Sequence, residues 1–175
     1  LRARDENQPL VSLLQISPPT RESVTAYSDI RRELESLSGE VNGEFADIGY
    51  TPVQYIHRAV PRHDLAGYYR RASIGLVTSL ADGMNLVAKE YVAAQDPDNP
   101  GVLILSSFAG AYEQMRDHVV GINPYDSDAV ARGLSIAVSM PLEDRKHRHR
   151  ALMKGMRETD IGWWVKTYLN SLMVD

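Results

Sequence analysis

The sequence contains no cysteine, which excludes disulfides, thiolate nucleophiles and cysteine-ligated metal sites. It also has no apolar run near the roughly 20 residues that span a bilayer, and no signal-peptide pattern at its N-terminus. A net charge of −4 gives no positive surplus for binding DNA or RNA. Hydrophobic residues make up 43% and charged residues 24%, the balance of an ordinary globular protein. We therefore predict a cytoplasmic domain that binds neither nucleic acid nor membranes.

The chain has 175 residues and opens on a leucine rather than a methionine. This length suits one domain with a sizeable core, and the missing initiator methionine leads us to expect a fragment of a longer protein. Residues 1–9 are polar and aperiodic, so we predict a connector there.

Short runs rich in Val, Ile and Leu predict five strands, because strands covered on both faces have nearly continuous apolar sequences. The predicted strands are 10–16, 53–57, 73–78, 102–106 and 119–123. Helical spacing predicts helices between them, the first carrying an apolar face over 24–41 and stopping near Gly39 and Gly43. The further predicted helices are 62–71, 84–95, 110–117, 127–139, 141–157 and 160–172.

This alternation predicts an α/β fold, a Rossmann-like parallel sheet with helices on both faces. We assign that domain to residues 10–140, and the C-terminal helices of 141–175 are expected to pack on it. A simple dinucleotide-binding domain is disfavoured, because Ser-Pro-Pro-Thr follows the first strand in place of a Gly-x-Gly-x-x-Gly turn.

The loop after the third predicted strand reads Leu-Ala-Asp-Gly-Met-Asn-Leu-Val, and ligands of such sheets bind at this kind of loop. Gly83 lets a ligand approach the free amides at a helix start, where the helix dipole favours an anion. Asp82 points into the same space, and Glu90 lies one turn further along the same helix face. The alternative is that these residues have only structural roles: Asp82 caps the helix, Gly83 makes a turn and Glu90 is a solvated surface charge. The residues alone leave both interpretations open.

Six blocks in a fixed order resemble the C-terminal half of trehalose-6-phosphate synthases. They are LLQISPPTRESVTAY (13–27), VNGEF (41–45), GLVTSLADGMNLVAKEYVAAQ (75–95), NPGVLILSSFAGA (99–111), INPYD (122–126) and DIGWW (160–164). The resemblance implies the C-terminal half of a GT-B glycosyltransferase, in which two Rossmann-like domains face each other across a cleft. One local departure is that Tyr-Glu-Gln-Met follows at 112–115, where the family has Ala-x-Glu-Leu.

The resemblance also implies roles for particular residues. Asp82 would be the catalytic-site carboxylate that contacts hydroxyls of the donor glucose, and Glu90 would bind the ribose. The stretch from Val60 to Leu65 would line the nucleobase. Arg21 would bind the acceptor phosphate, a task that suits a guanidinium. The sugar and diphosphate of the donor would be held by the backbone of five consecutive residues: Gly83, Met84, Asn85, Leu86 and Val87.

The implied reaction transfers glucose from UDP-glucose to glucose-6-phosphate with retention, giving α,α-trehalose-6-phosphate. It needs neither metal nor cofactor if basic groups and helix amides stabilise the leaving diphosphate. The family's basic Arg and Lys, and the N-terminal domain that carries most acceptor contacts, lie upstream of this chain. We therefore expect the isolated chain to be inactive and its C-terminal helices to face that domain.

Several alternatives stay open at this point. The protein could be a glucosyltransferase with another acceptor, such as glucosylglycerol-phosphate synthase. It could also be a catalytically silent, synthase-like regulatory subunit. The donor base and a homo-oligomeric state are also undecided. His147 and His149 are spaced for different faces of a helix, which disfavours a metal pair. The basic run at 145–150 is flanked by acidic residues, which favours a solvated helix over an RNA-binding patch.

Overall fold

The computed structural model describes residues 10–19 and 25–173. They form two compact units that divide between Pro61 and Arg62. The predicted connector 1–9 and Arg21 lie outside the described residues. No helix of the described ranges is long and apolar enough to cross a membrane. The elements are β1 (Leu13–Ile16), α1 (Thr25–Phe45), β2 (Val53–Ile56), α2 (Arg62–Arg71), β3 (Ile74–Val77), α3 (Leu86–Ala94), β4 (Val102–Ser106), α4 (Tyr112–Met115), a 3₁₀ turn (Arg116–His118), β5 (Val120–Ile122), α5 (Ser127–Val138), α6 (Leu142–Glu158) and α7 (Ile161–Leu172).

The first unit contains β1 and β2 as a parallel pair, connected by the long helix α1. The predicted stop of α1 near Gly39 and Gly43 is wrong, because the helix continues to Phe45. A glycine inside a helix costs only about 1 kcal/mol relative to alanine. Against that cost, the Asn42 side chain forms two hydrogen bonds of 2.9 Å with the backbone N–H and C=O of Val53. These bonds fix the last turns of α1 to β2.

The second unit contains a parallel sheet in the order β3-β4-β5. All of β4 is buried, and its side chains alternate between the two faces. Leu103 and Leu105 pack in a cluster with residues of α3 and α6. Val102 and Ile104 pack in a second cluster that includes Ala137 of α5. Helices therefore cover both faces of this sheet, which confirms the predicted Rossmann-like α/β class.

Within the described residues, β1 pairs with β2 in the first unit, and β3, β4 and β5 pair with one another in the second. Each ladder forms inside one of the two compact units. Periodicity along the chain reports whether a segment is a strand and on how many faces it is covered. The pairing partner of a strand depends on tertiary packing, so local pattern does not determine it.

Tyr91 of α3 connects the helix to the sheet in the second unit. Its side chain is 2% exposed, and its hydroxyl donates a 3.0 Å hydrogen bond to the Ala72 carbonyl just before β3. Burial raises the pKa of the Tyr91 phenol well above its ordinary value, so the hydroxyl stays protonated and can donate this bond. The ring lies against Gly75 of β3, where a Cβ would approach the ring carbons to 2.8 Å. Gly75 therefore leaves room for the Tyr91 ring, and through this ring α3 packs against the sheet.

We predict that Gly75→Ala lowers the free energy of unfolding by about 1–3 kcal/mol, because a methyl forced against the buried ring overpacks the core. Urea unfolding would measure the change. Gly155→Ala in α6 is the matched control, since a Cβ there meets nothing within 4 Å. That substitution should stabilise the protein by about 0.5–1 kcal/mol through helix propensity. Equal behaviour of the two variants would contradict the role of Gly75.

Candidate active site

The loops that follow β3 and β4 are joined beyond the ends of their strands. The Gly110 amide donates to the Asp82 carbonyl at 2.8 Å, and the Ala111 amide donates to the Met84 carbonyl at 2.7 Å. A Cβ on Gly110 would run into the Gly83 carbonyl, whose carbon would lie 2.7 Å away. Only a glycine at 110 permits this close approach, and the approach fixes the loop containing Asp82 on the carboxyl edge of the sheet.

The carboxylate of Asp82 accepts two local hydrogen bonds. Oδ1 accepts from the Met84 amide at 3.0 Å, and Oδ2 accepts from the Asn85 side-chain nitrogen at 3.0 Å. The backbone bond from Met84, followed by the side-chain bond from Asn85, lowers the pKa of Asp82 below its ordinary value. Asp82 is therefore ionised at neutral pH, so it accepts hydrogen bonds there and donates none.

The interpretation of Asp82 as a helix cap is wrong, because Asn85 is the N-cap of α3. Its side-chain oxygen accepts from the Ala88 amide at 2.9 Å, in a left-handed backbone conformation with φ 69° and ψ 85°. Within the described part of the chain, no acceptor binds the amides of Leu86 and Val87. Free amides at a helix start carry the positive end of the helix dipole and suit an anionic ligand.

The turn from Asp82 to Val87 is open to solvent. A Cβ on Gly83 would meet nothing within 4 Å. The side chains of Met84, Leu86 and Val87 are 56%, 56% and 45% exposed, high values for apolar residues. The turn thus leaves both space and apolar surface beside an ionised carboxylate and free amides.

Glu90 lies one turn into α3, and its Oε1 is 2.6 Å from a guanidinium nitrogen of Arg62 at the start of α2. The Glu90 side chain is 34% exposed and that of Arg62 is 85% exposed. Glu90 is therefore paired rather than a solvated lone charge. Arg62 was not singled out by the sequence, although it lies inside the 60–65 stretch assigned to the nucleobase.

The structure brings together, in the second unit, the six residues of the turn, Glu90 and Arg62. Leu65, also in that unit, is half-buried in α2. Val60 is half-buried in the first unit, and its place relative to the turn stays a prediction. The role of Arg21 also stays a prediction. No group of three His, Asp or Glu side chains that could hold a metal ion occurs among the residues described.

Comparisons with known proteins match this chain along nearly its whole length. The family model Glycosyltransferase family 20 matches residues 1–174. A trehalose-6-phosphate synthase from Enterobacter sp. (strain 638) is 50% identical over 158 residues, which are 90% of this chain and 33% of that protein.

Two solved structures share the fold. The α,α-trehalose-phosphate synthase (UDP-forming) from Burkholderia xenovorans in complex with glucose-6-phosphate is 51% identical, with a TM-score of 0.88. That match covers 93% of this chain and 36% of the other. An E. coli structure bound with UDP-2-fluoro glucose is 44% identical, also with a TM-score of 0.88, covering 94% of this chain and 36% of that one. This chain thus spans about a third of the length of the relatives it matches.

We predict that Gly110→Ala loosens the junction between the two loops, because its methyl would displace the Gly83 carbonyl. The free energy of unfolding should fall by about 1–3 kcal/mol, and hydrogen exchange of the Ala111 amide should become faster. Gly83→Ala is the control on the same loop, and it should change stability by less than about 0.5 kcal/mol, as is usual for exposed sites. Unchanged exchange of the Ala111 amide in Gly110→Ala would contradict the proposed junction.

Proposed function

Because this chain belongs to glycosyltransferase family 20, we propose that it is the donor-binding half of a retaining glucosyltransferase. The complete enzyme would transfer glucose from UDP-glucose to glucose-6-phosphate and form α,α-trehalose-6-phosphate. The observation that carries this proposal is the open turn at the start of α3, where an ionised carboxylate and free amides lie side by side. That arrangement suits a ligand with both sugar hydroxyls and a diphosphate.

Each group of the donor has a partner in this proposal. The Asp82 carboxylate accepts hydrogen bonds from hydroxyls of the glucose, and the amides of Leu86 and Val87 donate to the diphosphate. Glu90 accepts from the ribose hydroxyls through Oε2, since Oε1 is occupied by Arg62. The stretch from Val60 to Leu65 contacts the nucleobase.

The reaction breaks the bond between glucose C1 and the diphosphate oxygen, and forms a bond from C1 to the acceptor oxygen on the same face. The acceptor hydroxyl gives its proton to the leaving diphosphate. Asp82 is ionised, so its part is to orient the glucose rather than to donate a proton. Helix amides and basic groups stabilise the negative charge of the leaving diphosphate, and the reaction requires no metal ion or cofactor.

The remaining two thirds of the protein would supply the surface that binds the acceptor, and further basic groups. The surface of α7 supports such a partner, since every residue of this helix is exposed. Trp163 and Trp164 are 44% and 53% exposed, and Trp164 stacks on Tyr168 with ring centroids 5.2 Å apart. Arg21 would bind the acceptor phosphate. The proposed location is the cytoplasm.

The first prediction of this proposal concerns turnover. The full-length protein should form a trehalose-6-phosphate product from UDP-glucose and glucose-6-phosphate, detected by mass spectrometry. This chain alone should form none, because it lacks the surface that positions the acceptor for attack. Glycerol phosphate as the acceptor tests the glucosylglycerol-phosphate alternative. Product from glycerol phosphate but not from glucose-6-phosphate would change the proposed acceptor. Turnover by this chain alone would contradict the proposal that this chain binds the donor and the rest of the protein binds the acceptor.

The second prediction concerns Glu90. In the full-length protein, Glu90→Ala should weaken UDP binding by about 1.5–3 kcal/mol, the usual contribution of a hydrogen bond to a charged group. Isothermal titration calorimetry would measure the dissociation constant. Glu143→Ala is the matched control, because it makes the same exchange at an exposed glutamate of α6 that is paired with Lys146. UDP affinity should then be unchanged, and equal losses in both variants would show that the ribose contact is not responsible.

A further inference from the structure

The side chain of Asn85 makes three hydrogen bonds at the start of α3. Its oxygen accepts from the Ala88 amide at 2.9 Å. Its nitrogen donates to Asp82 Oδ2 at 3.0 Å and to the Ser79 hydroxyl at 3.1 Å. One amide group therefore joins the helix, the Asp82 carboxylate and the loop that follows β3.

Ser79 is in turn held by a buried serine of the neighbouring strand. Ser106, at the end of β4, is 0% exposed, and its hydroxyl donates to the Ser79 carbonyl at 2.6 Å. The same hydroxyl accepts from the Phe108 amide at 3.1 Å. A fully bonded polar group in a core fixes its neighbours in one arrangement. The Asn85 network is therefore attached to the most buried strand of the second unit.

Three requirements meet at position 85, and they select asparagine. The left-handed backbone is readily adopted only by glycine, asparagine and aspartate. The hydrogen bond from the Ala88 amide needs a side-chain oxygen at the N-cap, which glycine lacks, although glycine at this position costs little stability. The bond to the Asp82 carboxylate needs a donor, which excludes an ionised aspartate. Capping alone is satisfied equally well by aspartate, so the donor requirement points to a role beyond the cap.

We propose that Asn85 is a positioning residue for Asp82, holding its carboxylate at a fixed place beside the free amides of Leu86 and Val87. The inference rests on the proposed function, because Asp82 there contacts the donor glucose while the amides contact the diphosphate. The Asn85 side chain therefore fixes the position of the carboxylate that contacts the glucose relative to the amides that contact the diphosphate. The same bond contributes to the lowered pKa of Asp82, which keeps that carboxylate an acceptor.

Two substitutions in the full-length protein separate positioning from capping. Asn85→Asp keeps the left-handed backbone and the cap oxygen, but loses the donor and places a second carboxylate beside Asp82. Asn85→Gly keeps the backbone and loses both cap and donor without adding charge. Glycine in place of an asparagine cap changes stability little, so both variants should fold. Asp126→Asn, at the N-cap of α5, is the control for exchanging these residue types at a cap.

For both Asn85 variants we expect kcat for glucosyl transfer to fall by about tenfold to a hundredfold, the range for one lost charge-assisted hydrogen bond. The acid limb of the pH profile should move to higher pH. The sign follows because removing a donor that favours the charged carboxylate raises the Asp82 pKa. Carboxyl carbon NMR titration of Asp82 in Asn85→Gly reads the same shift without a second carboxylate. Asp126→Asn should leave kcat and the pH profile unchanged.

Wild-type kcat in Asn85→Asp, or an unmoved Asp82 titration in Asn85→Gly, would overturn the proposal and leave Asn85 as a cap. The NMR titration does not depend on turnover. If the wild-type protein shows no glucosyl transfer, the proposed function fails, and the titration still decides whether Asn85 positions Asp82.

Discussion

The hydrogen bonds between the loops after β3 and β4 are the constraint on which the candidate site depends. Parallel strands end at the same edge of a sheet, yet loops usually diverge there. In this chain Gly110 and Ala111 donate to the carbonyls of Asp82 and Met84, and the backbone pairing thus extends past the last residue of each strand. Hydrogen bonds therefore hold the backbone of the Asp82 turn, while the side chains of Met84, Leu86 and Val87 are exposed to solvent. A ligand site requires this combination of a fixed backbone and an accessible surface.

Packing in the core of the second unit positions α3 next to the Asp82 turn. Tyr91 and Val92 on the buried side of the helix are each 2% exposed, and Ala88 is 0% exposed. Leu86 and Val87 are exposed and Glu90 is half-buried, so these three residues remain available to a ligand. Because Gly75 leaves room for the Tyr91 ring, the helix lies close to the sheet and its free amides end beside Asp82. Packing in the core therefore determines the geometry of an exposed site.

Much of the fold could be predicted from local pattern, and the failures have identifiable causes. The bounds of α2 and β4 agree with prediction to the residue, because Pro61 and Gly101 interrupt the chain just before them. The start of α3 was placed at 84 instead of Leu86, since the bond that makes Asn85 the cap depends on a backbone conformation that periodicity does not report. The run of α1 through Gly39 and Gly43 depends on Asn42 and its partner in β2, which lies eleven residues away in sequence. Arg62 shows the same limit at the site, because only the folded chain reveals its pairing with Glu90.

The charges of the site bear on how a nucleotide diphosphate could bind there. Asp82 and Glu90 are both acidic, and Arg62 is the basic partner of Glu90, so these side chains provide no positive surplus. The free amides of α3 offer the equivalent of about half a positive charge, less than a diphosphate carries in negative charge. The proposed reaction adds charge to that group as its bond to C1 breaks, so the requirement for positive groups grows toward the transition state. Binding by this segment alone should consequently be weak, and the further basic groups that the proposal requires would act most strongly on the chemical step.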